Sequence, residues 1–312
     1  QELQGRMAHQ NTFAGNPLDR AGDLRNDPDW LAEQAAKPYA QALVLWEGRP
    51  LIEETGEGPR LAWLQMRHAR TLVRDREAFL GLWNDEPVFA IEFEGSIDPT
   101  DGPLAGLGAF HELRAAAAIL PAADAAIAGG AKSLFDWRRK HGFCANCGTL
   151  SETASGGWKR ICPACGTEHF PRVDPVTIML PVYKGGAEPI CLLGRQAAWP
   201  QGRMSALAGF LEPGESIEEA CAREVKEEAG LTVIATAYHS SQPWPFPSQL
   251  MIGLIAEVSD DQAQPDQTEL EAVAWLTRAE ARAVLAGEHP SIQAPPPFAI
   301  AHSLIKAWVD EV

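Results

Sequence analysis

Gly209-Phe-Leu-Glu-Pro-Gly-Glu-Ser-Ile-Glu-Glu-Ala-Cys-Ala-Arg-Glu-Val-Lys-Glu-Glu-Ala-Gly-Leu231 carries more information about the fold than any other stretch of this 312-residue sequence. Ser216 and Glu219 have the spacing of a capping box, in which each side chain satisfies the other residue's open backbone N–H, so a helix starts there. Gly230 supplies the stop, because glycine tolerates the left-handed turn that ends helices. At roughly 100° per residue, Ile217, Cys221, Val225 and Ala229 form one inward-facing apolar row. Glu224, Glu227 and Glu228 fall within an arc of roughly 100° beside that row. Carboxylates this close raise one another's pKa unless a cation compensates. A hard divalent ion such as Mg²⁺ does so, and it prefers carboxylate and phosphate oxygens. Taken alone, the cluster also reads as a solvated acidic helix face.

Outward from this helix the pattern is α/β. Val176 to Tyr183 and Ile190 to Arg195 read as strands joined by the Lys184-Gly-Gly186 turn. Strands are expected near Leu250 to Val258 and Val273 to Leu276, followed by two helices separated by the stiff Pro295-Pro-Pro297 run. Mixed elements in this order indicate an α/β sandwich. Upstream, Ala42 to Trp46, Arg60 to Met66 and Val88 to Phe93 are strand-like. Phe110 to Ala128 reads as a helix and Leu134 to Lys140 as a second, short one. Residues 1 to about 30 are polar and expected to be loosely ordered at the start. The division is 1–140 as an N-terminal domain, 141–170 as a metal ribbon and 171–312 as the catalytic domain.

The ribbon rests on Cys144-Ala-Asn-Cys147 and Cys162-Pro-Ala-Cys165, with 14 residues between the pairs. Each pair places two thiolates on one tight turn, relaxed by Gly148 or Gly166, and two such turns complete a tetrahedral Zn²⁺ shell. Four protein ligands leave no open position, so one structural zinc per chain is expected. Ribbons of this kind also serve nucleic-acid binding, but Lys159 and Arg160 are almost the only cations within this one. Cys191 and Cys221 sit in apolar surroundings as small core residues.

The formal net charge is −16, with 42 acidic and 26 basic residues. That balance opposes phosphate backbones and anionic lipid, so DNA and membrane are not expected partners. The longest apolar stretch, Ala115 to Ala128, is interrupted by Pro121 and Asp124 and is too short to span a bilayer. No basic segment followed by an apolar core opens the sequence, so a cytoplasmic protein is expected.

Ser241-Gln-Pro-Trp-Pro-Phe-Pro247 interleaves three prolines with two aromatics. The prolines exclude a helix and a central strand, leaving a stiff loop that presents Trp244 and Phe246 to flat rings, or a rigid turn with buried aromatics.

Gly209, five residues, Glu215, seven residues, Arg223-Glu224, two residues, Glu227-Glu228, one residue, Gly230 and an aliphatic residue together resemble the signature of the Nudix hydrolases. The Pro-aromatic string, with a four-cysteine ribbon upstream, resembles the NADH pyrophosphatase subfamily. That resemblance implies a Nudix α/β/α sandwich preceded by a zinc ribbon and a β-rich N-terminal domain. It implies hydrolysis of the pyrophosphate bridge of NAD(H) to AMP and nicotinamide mononucleotide, and removal of NAD caps from RNA. By the same resemblance, Glu224, Glu228, Glu269 and the Ala208 carbonyl bind Mg²⁺ or Mn²⁺. Glu227 binds metal or activates water, Arg223 orients the cluster, and Glu215 belongs to the catalytic set. Substrate contacts are implied for Arg114, Phe170, Phe210, Gln242, Pro243, Trp244, Pro245, Phe246, Pro247, Ser248, Gln249 and the Ala301 backbone, and a homodimer is implied as the assembly. Two departures stand out: Ser248 and Gln249 are in the reverse of the usual order, and Phe170 replaces a tyrosine. The rival readings are a Nudix enzyme for another nucleoside diphosphate derivative such as ADP-ribose, and a zinc-ribbon nucleic-acid module.

Overall fold

The computed structural model describes residues 11–73 and 76–311, which form two compact units. The first comprises Phe13–Val173 with Trp244–Ser248. It contains α1 (Pro28–Ala36), β1 (Gln41–Trp46), β2 (Arg49–Thr55), β3 (Gly58–Leu61), β4 (Trp63–Gln65), α2 (Met66–Leu72), β5 (Glu77–Trp83), β6 (Glu86–Phe93), β7 (Ala109–Phe110), α3 (Leu113–Ala116) and α4 (Ala122–Lys140). The ribbon follows, with β8 (Glu152–Ala154), β9 (Lys159–Ile161) and β10 (Glu168–His169) as a three-stranded sheet.

The larger sheet of this unit has the order β3-β2-β1-β6-β5, with β4 paired to β1 and β7 to β2. Strands β1 and β6 are parallel. Ala42–Leu45 is an unbroken apolar run because both faces of β1 are covered. Leu43 and Leu45 join a cluster with Leu134 and Phe135 of α4, while Ala42 and Val44 pack with Ala35, Met66 and Ala69.

Three expectations are corrected here. Arg60 to Met66 is not one strand, since β3 ends at Leu61, β4 at Gln65, and Met66 opens α2. Phe110 to Ala128 is not one helix either. Phe110 lies in β7, and Pro121, with its fixed φ and missing N–H, stands at the start of α4, which then runs unbroken through Leu134 to Lys140. The loosely ordered start falls partly on residues 1–10, outside those described. From Asn11 onward it does not hold, because Asn11 and Phe13 are only 7% and 3% exposed.

The second unit comprises Asp174–Pro243 and Gln249–Val312, together with Asn11 and Thr12. Its elements are β11 (Asp174–Tyr183), β12 (Ile190–Arg195), β13 (Leu207–Phe210), α5 (Ile217–Ala229), β14 (Val233–Trp244), β15 (Gln249–Val258), β16 (Ala272–Thr277), α6 (Arg278–Ala286) and α7 (Ile300–Asp310). The sheet order is β14-β15-β11-β12-β16, with β13 on β11. On one face Cys221, Val225 and Ala229 of α5 pack with Met179, Leu192 and Leu254. On the other, Leu304, Ile305 and Trp308 of α7 pack with Ile178 and Leu180. This is the expected α/β/α sandwich.

The two units repeat one wiring pattern. In the second, β11 pairs antiparallel with β12 and β13 and parallel with β15, and β16 extends from β12. In the first, β1 pairs antiparallel with β2 and β4 and parallel with β6, and β7 extends from β2. Helix α2 stands between β4 and β5 in the chain, as α5 stands between β13 and β14.

The Ser241–Pro247 string is also corrected. Ser241 to Trp244 complete β14, which lies at the sheet edge, where Pro243 removes no interior ladder bond. Among the described residues, no helix is long and apolar enough to cross a membrane.

Candidate active site and metal centre

The capping box at Ser216 and Glu219 and the left-handed Gly230 (φ 71°) fix both ends of α5, and with them the positions of its glutamates. Glu224 and Glu228 are 8% and 3% exposed, whereas the Glu227 side chain is 60% exposed. Arg223 organises the group. Its guanidinium donates to Glu215 Oε1 at 2.6 Å, Glu224 Oε1 at 2.8 Å, Glu227 Oε2 at 2.9 Å and the Phe210 carbonyl at 2.9 Å. The hydrogen bond from Arg223 holds the Glu215 carboxyl down to about 2, so Glu215 is a fixed anion that positions Arg223. Gly209 lies against this group, and a Cβ there would overlap the Glu224 carboxylate.

Burial, and then the charges of Glu224, Glu269 and Asp266, push the Glu228 carboxyl up to about 8. The Ala208 amide of β13 donates to it, yet Glu228 Oε2 is buried with no hydrogen-bond partner. Burial also raises Glu224, against the opposing pull of Arg223. A buried, partnerless carboxylate oxygen beside other carboxylates is a cation-ligand arrangement, and its oxygen donors suit a hard divalent ion. Glu269 stands on the exposed loop before β16. Its amide and that of Leu270 donate to Asp266, a residue the sequence reading missed. The signal was present, since an aspartate accepting amides from just ahead of it is a common turn device. Glu269 acts electrostatically on Glu224 and Glu228, but the carboxylates are not drawn tightly together. Among the described residues, the only set of three or more such ligand atoms mutually within 4.8 Å is the cysteine set.

That set is Cys144, Cys147, Cys162 and Cys165, with Cys147–Cys162 and Cys144–Cys165 sulfurs 3.4 and 3.7 Å apart. The two turns repeat each other: Gly148 N donates to Cys144 O and Gly166 N to Cys162 O, both at 2.9 Å, with φ of 77° and 72° at the glycines. Hydrogen bonds from Thr149 and Thr167 favour the thiolates of Cys147 and Cys165. The donors fit a tetrahedral zinc. His169 Nε2, also missed from sequence, lies 3.3 Å from Cys144 Sγ. Arg160 is buried on Ser151 and Gly142 and Lys159 pairs with Glu168, so neither is a free cation for nucleic acid.

In the first unit, Trp244 and Phe246 meet edge to face with centroids 5.2 Å apart. The Arg114 guanidinium lies over both rings, 5.3 and 4.6 Å from their centroids. Helix α4 cradles the turn. Lys132 Nζ donates to the Pro245 carbonyl at 2.9 Å and to Asp136 at 2.5 Å, Ser133 Oγ donates to the Pro247 carbonyl, and Gly129 leaves room for buried Pro245.

The remaining expected contacts separate. Phe170 and Phe210 are 63% and 51% exposed in their respective units. Pro243 and Pro247 are exposed, Ser248 is half-buried, and Gln249 opens β15 opposite Asp174. Ala301 is buried in the first turn of α7. Gln242 is 0% exposed, its amide donates to the Thr12 and Phe298 carbonyls, and its Oε1 accepts from Ile300 N, so it braces the start of α7.

Comparison with known proteins agrees with this geometry. The NUDIX domain family matches residues 173–295, the NADH pyrophosphatase zinc ribbon domain matches 139–170, and the NADH pyrophosphatase-like rudimentary NUDIX domain matches 40–137. The NAD-capped RNA hydrolase NUDT12 of Macaca fascicularis is 33% identical over 96% of this chain and 73% of its own. The NAD-capped RNA hydrolase NudC of Deinococcus radiodurans is 34% identical over 84% of this chain and 86% of its own. The human mitochondrial NAD(P)H pyrophosphatase NUDT13 is 41% identical over 65% of this chain and 60% of its own. A NUDIX hydrolase structure from Nitrosomonas europaea is 24% identical with a TM-score of 0.41, covering 54% of this chain and 90% of that one. With its signature helix, its ribbon and its repeated N-terminal unit, this chain belongs to the Nudix hydrolases of the NADH pyrophosphatase type.

Proposed function

We propose that this chain hydrolyses the pyrophosphate bond of NAD(H), giving AMP and nicotinamide mononucleotide, and that it also removes NAD caps from RNA 5′ ends. The observation that carries the reading is the buried pair of Glu224, clamped by Arg223, and Glu228, whose Oε2 has no partner. Glu224, Glu228, Glu269 and the Ala208 carbonyl are the groups that would hold Mg²⁺ or Mn²⁺. When bound, such an ion neutralises pyrophosphate charge and lowers the pKa of a water. Arg223 fixes Glu224, the Ala208 amide holds Glu228, and Glu215 fixes Arg223. Glu227, exposed and tied to Arg223, has the freedom to accept a proton from water or to join the metal shell. Trp244 supplies a face for the nicotinamide ring, and Arg114 orients the Trp244 ring.

The names of the relatives support the substrate class. Zinc at the four cysteines is structural, because four thiolates leave no open position. Cysteines kept as metal ligands suit a reducing, cytoplasmic setting, and the assembly proposed is a homodimer. Glu228→Gln tests the reading. NADH turnover is expected to fall about 10²-fold or more with the circular dichroism unchanged. Turnover within a few-fold of the parent at saturating Mg²⁺ overturns it.

A further inference from the structure

The first unit repeats the wiring of the second, but its helix α2 reads Met66-Arg-His-Ala-Arg-Thr-Leu72 and carries no carboxylate. On this helix nothing corresponds to Glu224 or Glu228. The unit does retain a cavity. A space of about 320 Å³ opens where β1 and β6 begin and β5 ends, lined by Tyr39, Gln41, Trp63, Trp83, Asn84 and Glu86. In the second unit the corresponding sheet end is formed by the start of β11, the start of β15 and the end of β14. Trp83 is the last residue of β5, as Trp244 is the last residue of β14. Strands β5 and β14 thus end alike in a tryptophan, although Trp244 itself belongs to the first unit.

The lining defines the ligand. Trp63 and Trp83 are half-buried and packed on the core, so their rings are held in place, and Tyr39 is 46% exposed beside them. Anchored aromatic faces favour a flat ring. Gln41, Asn84 and Glu86 add carbonyl and carboxylate oxygens that accept hydrogen bonds from ring-edge N–H groups. Among the described residues no lysine or arginine lines the cavity, so its interior offers a phosphate no side-chain cation.

We propose that this cavity binds the planar nitrogen heterocycle of a nucleoside and does not cleave its ligand. The inference rests in part on the reading of Trp244 as a ring-binding residue. Equilibrium dialysis of the full chain with adenosine, and separately with nicotinamide riboside, counts rings bound without any cleavage, because neither probe contains a pyrophosphate. With at least one probe, Trp83→Ala is expected to bind one ring fewer per chain than the parent, and Glu86→Gln to weaken that site tenfold or more. The exposed Glu86 keeps the test open should Trp83→Ala fail to fold. AMP is expected to bind this site no more tightly than adenosine. Both variants should turn over NADH within about twofold of the parent, since neither residue touches the metal-holding carboxylates or the Arg114–Trp244–Phe246 group. Equal stoichiometry and affinity in the parent and both variants for both probes overturn the proposal, as does AMP bound tenfold tighter than adenosine at this site. A parent that fails to cut NADH but keeps the Trp83-dependent ring refutes the catalytic reading alone.

Discussion

Gly209 and Glu224 occupy complementary space: the backbone of β13 passes so close to α5 that a Cβ at Gly209 would overlap the Glu224 carboxylate. The constraint is not one of backbone angles, because Gly209 is not among the glycines with positive φ. It is a constraint of room. Gly209→Ala should therefore fold but push Glu224 away from its bond with Arg223. A displacement of about 1 Å at a positioning group can reduce rate by about 10²-fold, and a loss of that order in kcat is expected. Wild-type kcat in Gly209→Ala would show that Glu224 needs no fixed position.

The Glu228 carboxyl, pushed from 4.5 up to about 8, makes the stability of the metal-free protein depend on pH. The folded form holds this proton more tightly than the unfolded form. Between pH 4.5 and 8 folding therefore takes up a proton, and stability falls as pH rises. Glu224 acts in the same direction. Glu215, held down to about 2, acts in the opposite sense, its stabilisation being lost only as pH falls from 4.5 toward 2. Protein dialysed free of Mg²⁺ and Mn²⁺ should show a Tm that declines from pH 5 to pH 8. Saturating Mg²⁺ should flatten the decline, and Glu228→Gln should show a shallower one. Identical slopes in parent and variant would contradict this assignment.

Lys132 ties helix α4 to the Pro-aromatic turn through the Pro245 carbonyl and lies 5.4 Å from the Phe246 ring centroid. Lys132→Met keeps the stem of the side chain and removes the donor. A hydrogen bond from a charged group contributes about 1.5–3 kcal/mol, so kcat/KM for NADH should fall about tenfold, chiefly through KM, with Lys132→Arg restoring part of it. An unchanged KM in Lys132→Met would show that the turn is held without it.

What could be read from sequence follows from how local each signal is. The ends of α5 depend on Ser216, Glu219 and Gly230, all within one helix, and each performs as its residue type dictates. The two cysteine turns are equally local. The bracing role of Gln242 is not legible in the sequence because it depends on distant partners, Thr12, Phe298 and Ile300, which no spacing within the Pro-aromatic string reveals. The repeated fold of the first unit was hidden for a related reason. Its helix α2 has lost the glutamates that mark α5, and the pairing of β1 with β6 is a long-range contact. The unbroken α4 hides behind Gly129 and Gly130, which weaken helix propensity; their neighbours Ala128 and Ala131 are fully buried and supply packing that outweighs that loss.

The most direct test of the whole account is the identity of the products. Incubated with NADH and Mg²⁺ or Mn²⁺, the protein is expected to release AMP and reduced nicotinamide mononucleotide in equal amounts, separated by chromatography. ADP-ribose keeps the adenine and the pyrophosphate but lacks the second ring, so it should be cut more slowly, and Trp244→Ala should impair NADH cleavage more than ADP-ribose cleavage. ADP-ribose cut faster than NADH, in the parent and in Trp244→Ala alike, would contradict the account and leave a Nudix hydrolase of different specificity.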